Sequence, residues 1–469
     1  MQLYTKTDEF TLYQGSMLDM LQVIAPCSID SIVTDPPYEL NFMNKGWDNS
    51  GIAFQADTWR KCYQVLKSGG YLLAFGGSRT FHRIACAIED AGFEIRDTIM
   101  WLYGSGFPKS MNIGLAIDKK NGVESPVVGV GKSGAPDTHT KTLHSVSEIT
   151  GTGWFGGEYE IRQAQNKWNG WGTALKPAYE PVIVARKPCE GSCLDNVIQY
   201  GVGGINIDAC RIGTDVITTN GARKNPMAGD ERTGKALGMF QETEALNTDH
   251  NGRYPANVIL TYDDTDFDEV CGGMPTGGAN GTVSKAYDYK ADVFGDYKQK
   301  EPFDSYGDSG SAARYYYCAK ASKRDRDEGL DAFETKQCTG GGGGIGDYLS
   351  DVNSCSGKYG SEKAPHKNTH PTVKPVDLMQ YLVRLVTPPS GTVLDPFNGS
   401  GSTGKAVMYE NRDRNAGYKY IGIELTAEYL PIADARIRYA AGDHSPVTPA
   451  EQPITGQITF FDILGGENG

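Results

Sequence analysis

The sequence predicts an α/β fold, an open, doubly wound and mainly parallel sheet, and three observations predict it. Short apolar runs alternate with amphipathic segments from residue 28 to about 104. The same rhythm returns from about residue 370. Between the two blocks lies a long stretch rich in Gly, Asn, Asp and Tyr with weak periodicity. Strand–helix alternation with short turns implies parallel strands joined by right-handed crossovers, so the two blocks read as halves of one sheet split by an insertion.

Taken in order, "SIDSIVTD" is an apolar run closed by Asp-Pro-Pro and reads as a buried strand. "DTWRKCYQVLKSGG" has helical spacing and is expected to stop at its glycines. "YLLAFGG" is a second strand, "RTFHRIACAIEDAGF" a helix and "EIRDTIMWLYGSG" a third strand. Within the insertion, "AYEPVIVARKP" has strand character and is expected to return to the sheet at 179–188. In the second block, "VDLMQYLVRLVTPPSG" is a helix, "TVLDPF" a strand, "TGKAVMYENR" a helix, "YKYIGIEL" a strand and "TAEYLPIADARIRYA" a helix. The expected organisation is a first half at 1–104, an insertion at 105–369, a second half at 370–440, and a linker and tail at 441–469. The run Gly340 to Gly344 reads as a loop, because no strand leads into it.

A chain of 469 residues with 39% hydrophobic content and 26 Tyr can bury a substantial core. Ten irregularly spaced Cys read as reduced thiols of a cytoplasmic protein. The N-terminus lacks a signal-peptide pattern, and no apolar run is long enough to span a bilayer. A net charge of −13 argues mildly against nucleic acid, although a local basic face can still hold DNA. Cys189 with Cys193, or Cys338, Cys355, His366 and His370, lack paired zinc-ligand spacing, so no metal is expected.

"VLDPFNGSGSTGKAVM" admits two readings. Gly399, Gly404 and Lys405 have the spacing of a nucleotide-phosphate loop. Such a loop needs a hydroxyl directly after its lysine for Mg²⁺, and Ala406 stands there. In the other reading, Asp395 ends a strand and the following glycines let a cofactor approach backbone at the sheet's carboxyl edge. Glu424, which ends the next strand, then suits ribose hydroxyls, as an alternative to a plain solvated strand end. Lys405 becomes a solvated helix residue.

Asp35-Pro36-Pro37-Tyr38 is the most informative tetrapeptide. Its prolines fix a rigid turn and supply no N–H, leaving the Pro36 carbonyl beside the Asp35 carboxylate. That acceptor pair suits an exocyclic amine, and Tyr38 offers a face for a base. The plainer alternative is a strand-ending turn. Together, "DPPY" and "DPFNGSG" resemble the DNA amino-methyltransferases that act on adenine N6 or cytosine N4, over about 40% of the chain. "HPTVKP" at 370–375 resembles the lead-in to the cofactor site of that family. The order, with DPPY first and the cofactor loop last, is similar to its circularly permuted beta class, and "LKPAYEPVIVARKP" and "SAARYYYCAKASKRDR" look phage-like.

The resemblance implies a Rossmann-like methyltransferase sheet with an inserted target-recognition region, S-adenosylmethionine as cofactor and a base flipped from double-stranded DNA. It implies catalytic roles for Asp35, Pro36, Pro37 and Tyr38. It implies cofactor contacts from Asp395, Phe397, Asn398, Gly399, Ser400, Gly401 and Glu424, and from Thr372 and Lys374 towards the cofactor's carboxylate. The family often has Gly-Asp before DPPY; Gly15-Ser16 stands here, so Ser16 takes that place, with Asp19 the nearest carboxylate. Asp at the first motif position leans towards adenine, since cytosine-N4 enzymes more often have Ser; a catalytically silent DNA-binding module is the distant alternative. Methylation at cytosine C5 would need a cysteine nucleophile, and Cys27 precedes the strand.

Arg314, Lys320, Lys323, Arg324 and Arg326, interleaved with tyrosines, suit phosphate contact and stacking, or simply a solvated face. "WLYGSGFPKS" leaves the third strand on the pocket side, so Phe107 and Lys109 are expected to touch the flipped nucleotide or its phosphates. Near the chain end, Gln457 to Phe461 resembles a peptide that docks on the bacterial sliding clamp, which with a homodimer completes the expected partners.

Overall fold

The computed structural model describes residues 2–40, 46–103, 110–133, 157–220, 247–262, 316–320, 323–335, 367–445 and 447. Its strands are β1 Gln2–Lys6, β2 Phe10–Gln14, β3 Ile29–Thr34, β4 Leu66–Phe75, β5 Glu94–Tyr103, β6 Val127–Ser133, β7 Gly157–Arg162, β8 Tyr179–Arg186, β9 Ile212–Asn220, β10 Asn247–Arg253, β11 Val258–Tyr262, β12 Tyr317–Lys320, β13 Thr392–Asp395 and β14 Lys419–Glu424. Ten of them form one sheet in the order β1-β2-β14-β13-β3-β4-β8-β5-β11-β12. The pairs β6–β7 and β9–β10 are separate antiparallel ribbons.

The central strands are apolar on both sides because both faces of the sheet are covered. Successive residues go to opposite cores. Val33, Leu73, Val184 and Val393 pack with the helices Val376–Val386 and Ser402–Arg414. Ile32, Leu72, Ile183 and Leu394 pack with the helices Ala56–Val65 and Phe81–Asp90. The fold is therefore doubly wound, as expected. Between β13 and β3 the winding reverses: the chain runs outward from β13 to β14 on one side and from β3 to β4 on the other. In open α/β sheets such a switch point is where the carboxyl edge opens into a crevice.

Four features depart from the expected elements. The first helix ends at Val65, and the Leu-Lys-Ser-Gly-Gly segment belongs to β4, where it makes an irregularity in the β3–β4 ladder. The N-terminus forms a hairpin, with β2 parallel to β14. The predicted strand at 179–188 is β8, but it runs antiparallel to both β4 and β5. The insertion also supplies β11 and β12, which extend the sheet beyond β5 in parallel. No helix among the described residues is long and apolar enough to cross a membrane.

Candidate active site

A cleft of about 780 Å³ opens along the carboxyl edge at the switch point. Asp35, Pro36, Pro37 and Tyr38 line it from β3, and Asp395, Phe397, Asn398, Gly399 and Ser400 from β13. Glu424 lines it from β14, Ser16 from the turn after β2, and Thr372 and Lys374 from the segment before helix Val376–Val386. The tetrapeptide and the glycine loop, some 360 residues apart, thus share one cavity.

On the β13 side both carboxylates already accept hydrogen bonds. Asp395 accepts from Thr34 Oγ1 and Thr403 Oγ1, each at 2.6 Å, and from the Phe397 N–H at 3.1 Å. Burial pushes its carboxyl up to about 6 against those bonds. The loop then turns at Gly399, whose φ of +52° and whose missing Cβ, which would lie 2.9 Å from His370 Nε2, both require glycine. The Gly399 N–H donates to Glu424 Oε2 at 2.7 Å, and the Thr426 N–H to Oε1 at 2.7 Å. Burial raises the Glu424 carboxyl to about 7. Gly401 does not line the cleft; with φ +77° it caps helix Ser402–Arg414 against Ala433. Ser16 is partly committed as well, since its Oγ accepts from the Leu18 N–H at 3.3 Å.

On the β3 side the Asp-Pro-Pro-Tyr tetrapeptide meets charge. Lys374 Nζ donates to Asp35 Oδ2 at 2.6 Å and lies 3.5 Å from Glu180 Oε2. Its ammonium therefore sits on the expected catalytic carboxylate. Burial alone would lower the lysine's pKa, but Asp35 and Glu180 together outweigh it and raise it. Tyr38 donates its hydroxyl to Glu180 Oε2 at 2.8 Å, and Tyr103 donates to Oε1 at 3.3 Å. The other oxygen of Asp35, Oδ1, is buried and has no donor among the described residues. Asp48 holds the following turn by accepting from the Glu39 and Leu40 N–H groups at 2.9 and 3.2 Å.

Two expectations for basic residues are corrected here. Lys405 is fully buried, not solvated: it pairs with Asp325 at 3.0 Å and Glu328 at 2.8 Å, carboxylates that the end of the insertion brings onto its helix. Arg326, expected on a DNA-facing surface, turns inward and donates to the His370 carbonyl at 2.7 Å and the Asn368 carbonyl at 3.2 Å. It braces the HPTVKP segment. Lys320 ends β12, and Lys323 and Arg324 open the short helix Lys323–Asp327. Phe107, Lys109, Arg314, Gly340 to Gly344, Cys338, Cys355, His366 and the Gln457 to Phe461 segment lie outside the described residues.

Sequence reasoning passed over Glu180, Tyr103, Asp48 and His370 as parts of the cleft. His370 Nδ1 donates to the Thr372 carbonyl at 2.6 Å, its ring packs edge-on against Tyr429, and burial lowers its pKa to about 4, so it is neutral. Its place in HPTVKP was the available signal. Glu180 had only its position at the start of a predicted strand.

Comparison with known proteins agrees with this geometry. A family model described as DNA methylase, covering the N6 and N4 amino-methyltransferases, matches residues 29–435. The type II methyltransferase M.HindIII of Haemophilus influenzae is 26% identical over 154 residues, covering 32% of this chain and 37% of the relative. M.HinfI, also of Haemophilus influenzae, is 34% identical over 87 residues, covering 19% and 23%. The chain thus spans well under half the length of these curated relatives. Among solved structures, the PvuII cytosine-N4-specific DNA methyltransferase is 12% identical, covering 94% of this chain and 92% of that one with a TM-score of 0.39. An M1.HpyAVI complex with S-adenosylmethionine is 13% identical, covering 91% and 99% with a TM-score of 0.32. With the family model spanning both halves of the sheet and both cleft motifs, the chain belongs to the N6/N4 DNA methylase family.

Proposed function

We propose that the protein transfers a methyl group from S-adenosylmethionine to N6 of an adenine flipped out of double-stranded DNA. The observation that carries this reading is Asp35, which lines a cleft large enough for a nucleoside cofactor and a base and whose buried Oδ1 has no hydrogen-bond donor among the described residues. A buried acceptor without a partner is unfavourable by about 1–3 kcal/mol, a penalty that an amine N–H would relieve.

The residues present fit the cofactor. Glu424 keeps acceptor capacity on both oxygens for ribose hydroxyls, and the glycine at 399 lets backbone approach closely. Asn398, Gly399 and Ser400 would flank it, with Phe397 and Ser16 nearby. When bound, S-adenosylmethionine supplies an electrophilic methyl group.

This chain's own residues then handle the amine. The lone pair of an adenine amine is delocalised into the ring and is weakly nucleophilic. Asp35 Oδ1 and the Pro36 carbonyl would accept its two N–H bonds, favour a more tetrahedral nitrogen and aim it, so that alignment and placed dipoles carry the rate. Tyr38, held by Glu180, would present its ring to the flipped base. On the surface, exposed Trp168 and Trp171 stack edge to face beside Lys167, and Lys176 adjoins cleft-lining Pro177; these suit backbone contact better than the inward Arg326.

The test is transfer of tritiated methyl to duplex DNA followed by digestion to nucleosides. Label in N6-methyl-2′-deoxyadenosine is expected. Label in N4-methyl-2′-deoxycytidine would overturn the adenine assignment, and no label in DNA would overturn the function.

A further inference from the structure

We infer that Glu180, on the inserted strand β8, is a positioning residue for methyl transfer: it offsets the charge of Lys374 and so leaves Asp35 effective as an anion. The inference rests on the methyltransferase reading above and adds a residue that neither motif contains.

The geometry poses a problem that Glu180 solves. Asp35 Oδ2 is held by Lys374 at 2.6 Å, and the Lys374 side chain is only 10% exposed. Two opposite charges at that distance, largely shielded from water, make a nearly neutral pair. As the amine nitrogen takes the methyl group, its lone pair becomes the new C–N bond and the C–S bonding pair stays on the departing sulfide. The nitrogen then carries a positive charge until it gives one proton to Asp35. A neutral Asp35–Lys374 pair stabilises that charge poorly, because the ammonium repels it.

A second carboxylate changes the balance. Glu180 lies 3.5 Å from the same ammonium and lines the same cleft, with 22% of its side chain exposed. Asp35, Glu180 and Lys374 together sum to −1. Lys374 becomes a shared counter-ion that fixes Oδ2 and leaves Oδ1 without a donor among the described residues. In a partly buried site, fixed charges of this kind act most strongly on charge that develops during reaction. The hydroxyls of Tyr38 and Tyr103 hold Glu180 in place at 2.8 and 3.3 Å, so the group is fixed before substrate arrives.

The experiment compares Glu180→Gln in the wild-type and Lys374→Met backgrounds of the full chain. Its readouts are single-turnover methylation, S-adenosylmethionine affinity and the fluorescence of 2-aminopurine at the mapped target base. Glu180→Gln keeps an acceptor for Tyr38, so cofactor affinity and base flipping are expected to stay within about twofold, while the methylation rate falls about 10- to 100-fold. In the Lys374→Met background the same change should lose most of that effect, because no ammonium remains to offset. Glu180→Asp, which keeps the charge, should retain more activity than Glu180→Gln. Wild-type rates in Glu180→Gln, an equal loss in both backgrounds, or a lower rate in Glu180→Asp than in Glu180→Gln would each overturn the inference alone. A wild-type protein that labels no DNA would overturn the methyltransferase reading and this inference with it.

Discussion

Asp35 follows β3 and Asp395 ends the neighbouring parallel strand β13, and each is followed by proline, yet the two carboxylates are set up differently. Asp395 has a donor on each oxygen, Thr34 and the Phe397 N–H on one and Thr403 on the other, and its side chain is almost wholly enclosed. Asp35 has one oxygen on a lysine and the other without a donor. One carboxylate is a strut that shapes a loop, and the other is an acceptor left open. A shared Asp-Pro turn therefore does not imply a shared task; hydrogen-bond saturation separates them.

The sharpest way to break this comparison is to remove each acid in turn. Asp35→Ala should reduce single-turnover methylation by about 10³-fold or more while leaving cofactor affinity within a few-fold. Retained methylation at the mapped site would refute the role of Asp35. A loss of about 3–5 kcal/mol in denaturant unfolding is expected for Lys405→Met, which strands Asp325 and Glu328 without their buried cation. An unchanged midpoint would show that this pairing does not support the cofactor side. Asp395→Ala should lower stability by about 2–4 kcal/mol, since two buried hydroxyls and an N–H lose their acceptor. Loss of turnover with an unaltered melting curve would instead make Asp395 a second chemical group.

Glu424 gives the smallest effect and the one with a pH signature. Its carboxyl is raised from 4.5 to about 7 by burial, so folding favours the protonated form. That stability is fully present below about pH 4.5 and is lost as pH rises through about 7. Binding of ribose hydroxyls favours the ionised form, so S-adenosylmethionine affinity should weaken by up to about tenfold between pH 8 and pH 6. Titration calorimetry across that range checks it, and Glu424→Gln should flatten the profile.

Much of the sheet was legible because its strands are short apolar runs closed by Asp-Pro or glycine. Both motifs of the cleft were legible for the same reason: each is a local turn whose residues carry their chemistry within a few positions. The direction of β8 was not, since a single apolar run reads alike in either orientation. "VILTY" in β11 had a strand's composition but sat in a region of weak pattern. Glu180 and the Lys405 partners were hidden for a deeper reason. They act across gaps of 142 and 80 residues, where only the folded topology decides who meets whom.

The reversed strand β8 also bears on how the inserted stretch joins the sheet. Leu102 pairs with Tyr179 across β5 and β8, and the Tyr103 N–H donates to the Ala178 carbonyl, so the chain leaves and re-enters the sheet at adjacent positions. The described parts of the stretch between include the helix Ile113–Lys120 and the β6–β7 ribbon. Closing a flexible loop grows costlier by only about 0.6 kcal/mol for each doubling of its length. Stretches of different length can therefore join at this pair with little difference in closure cost.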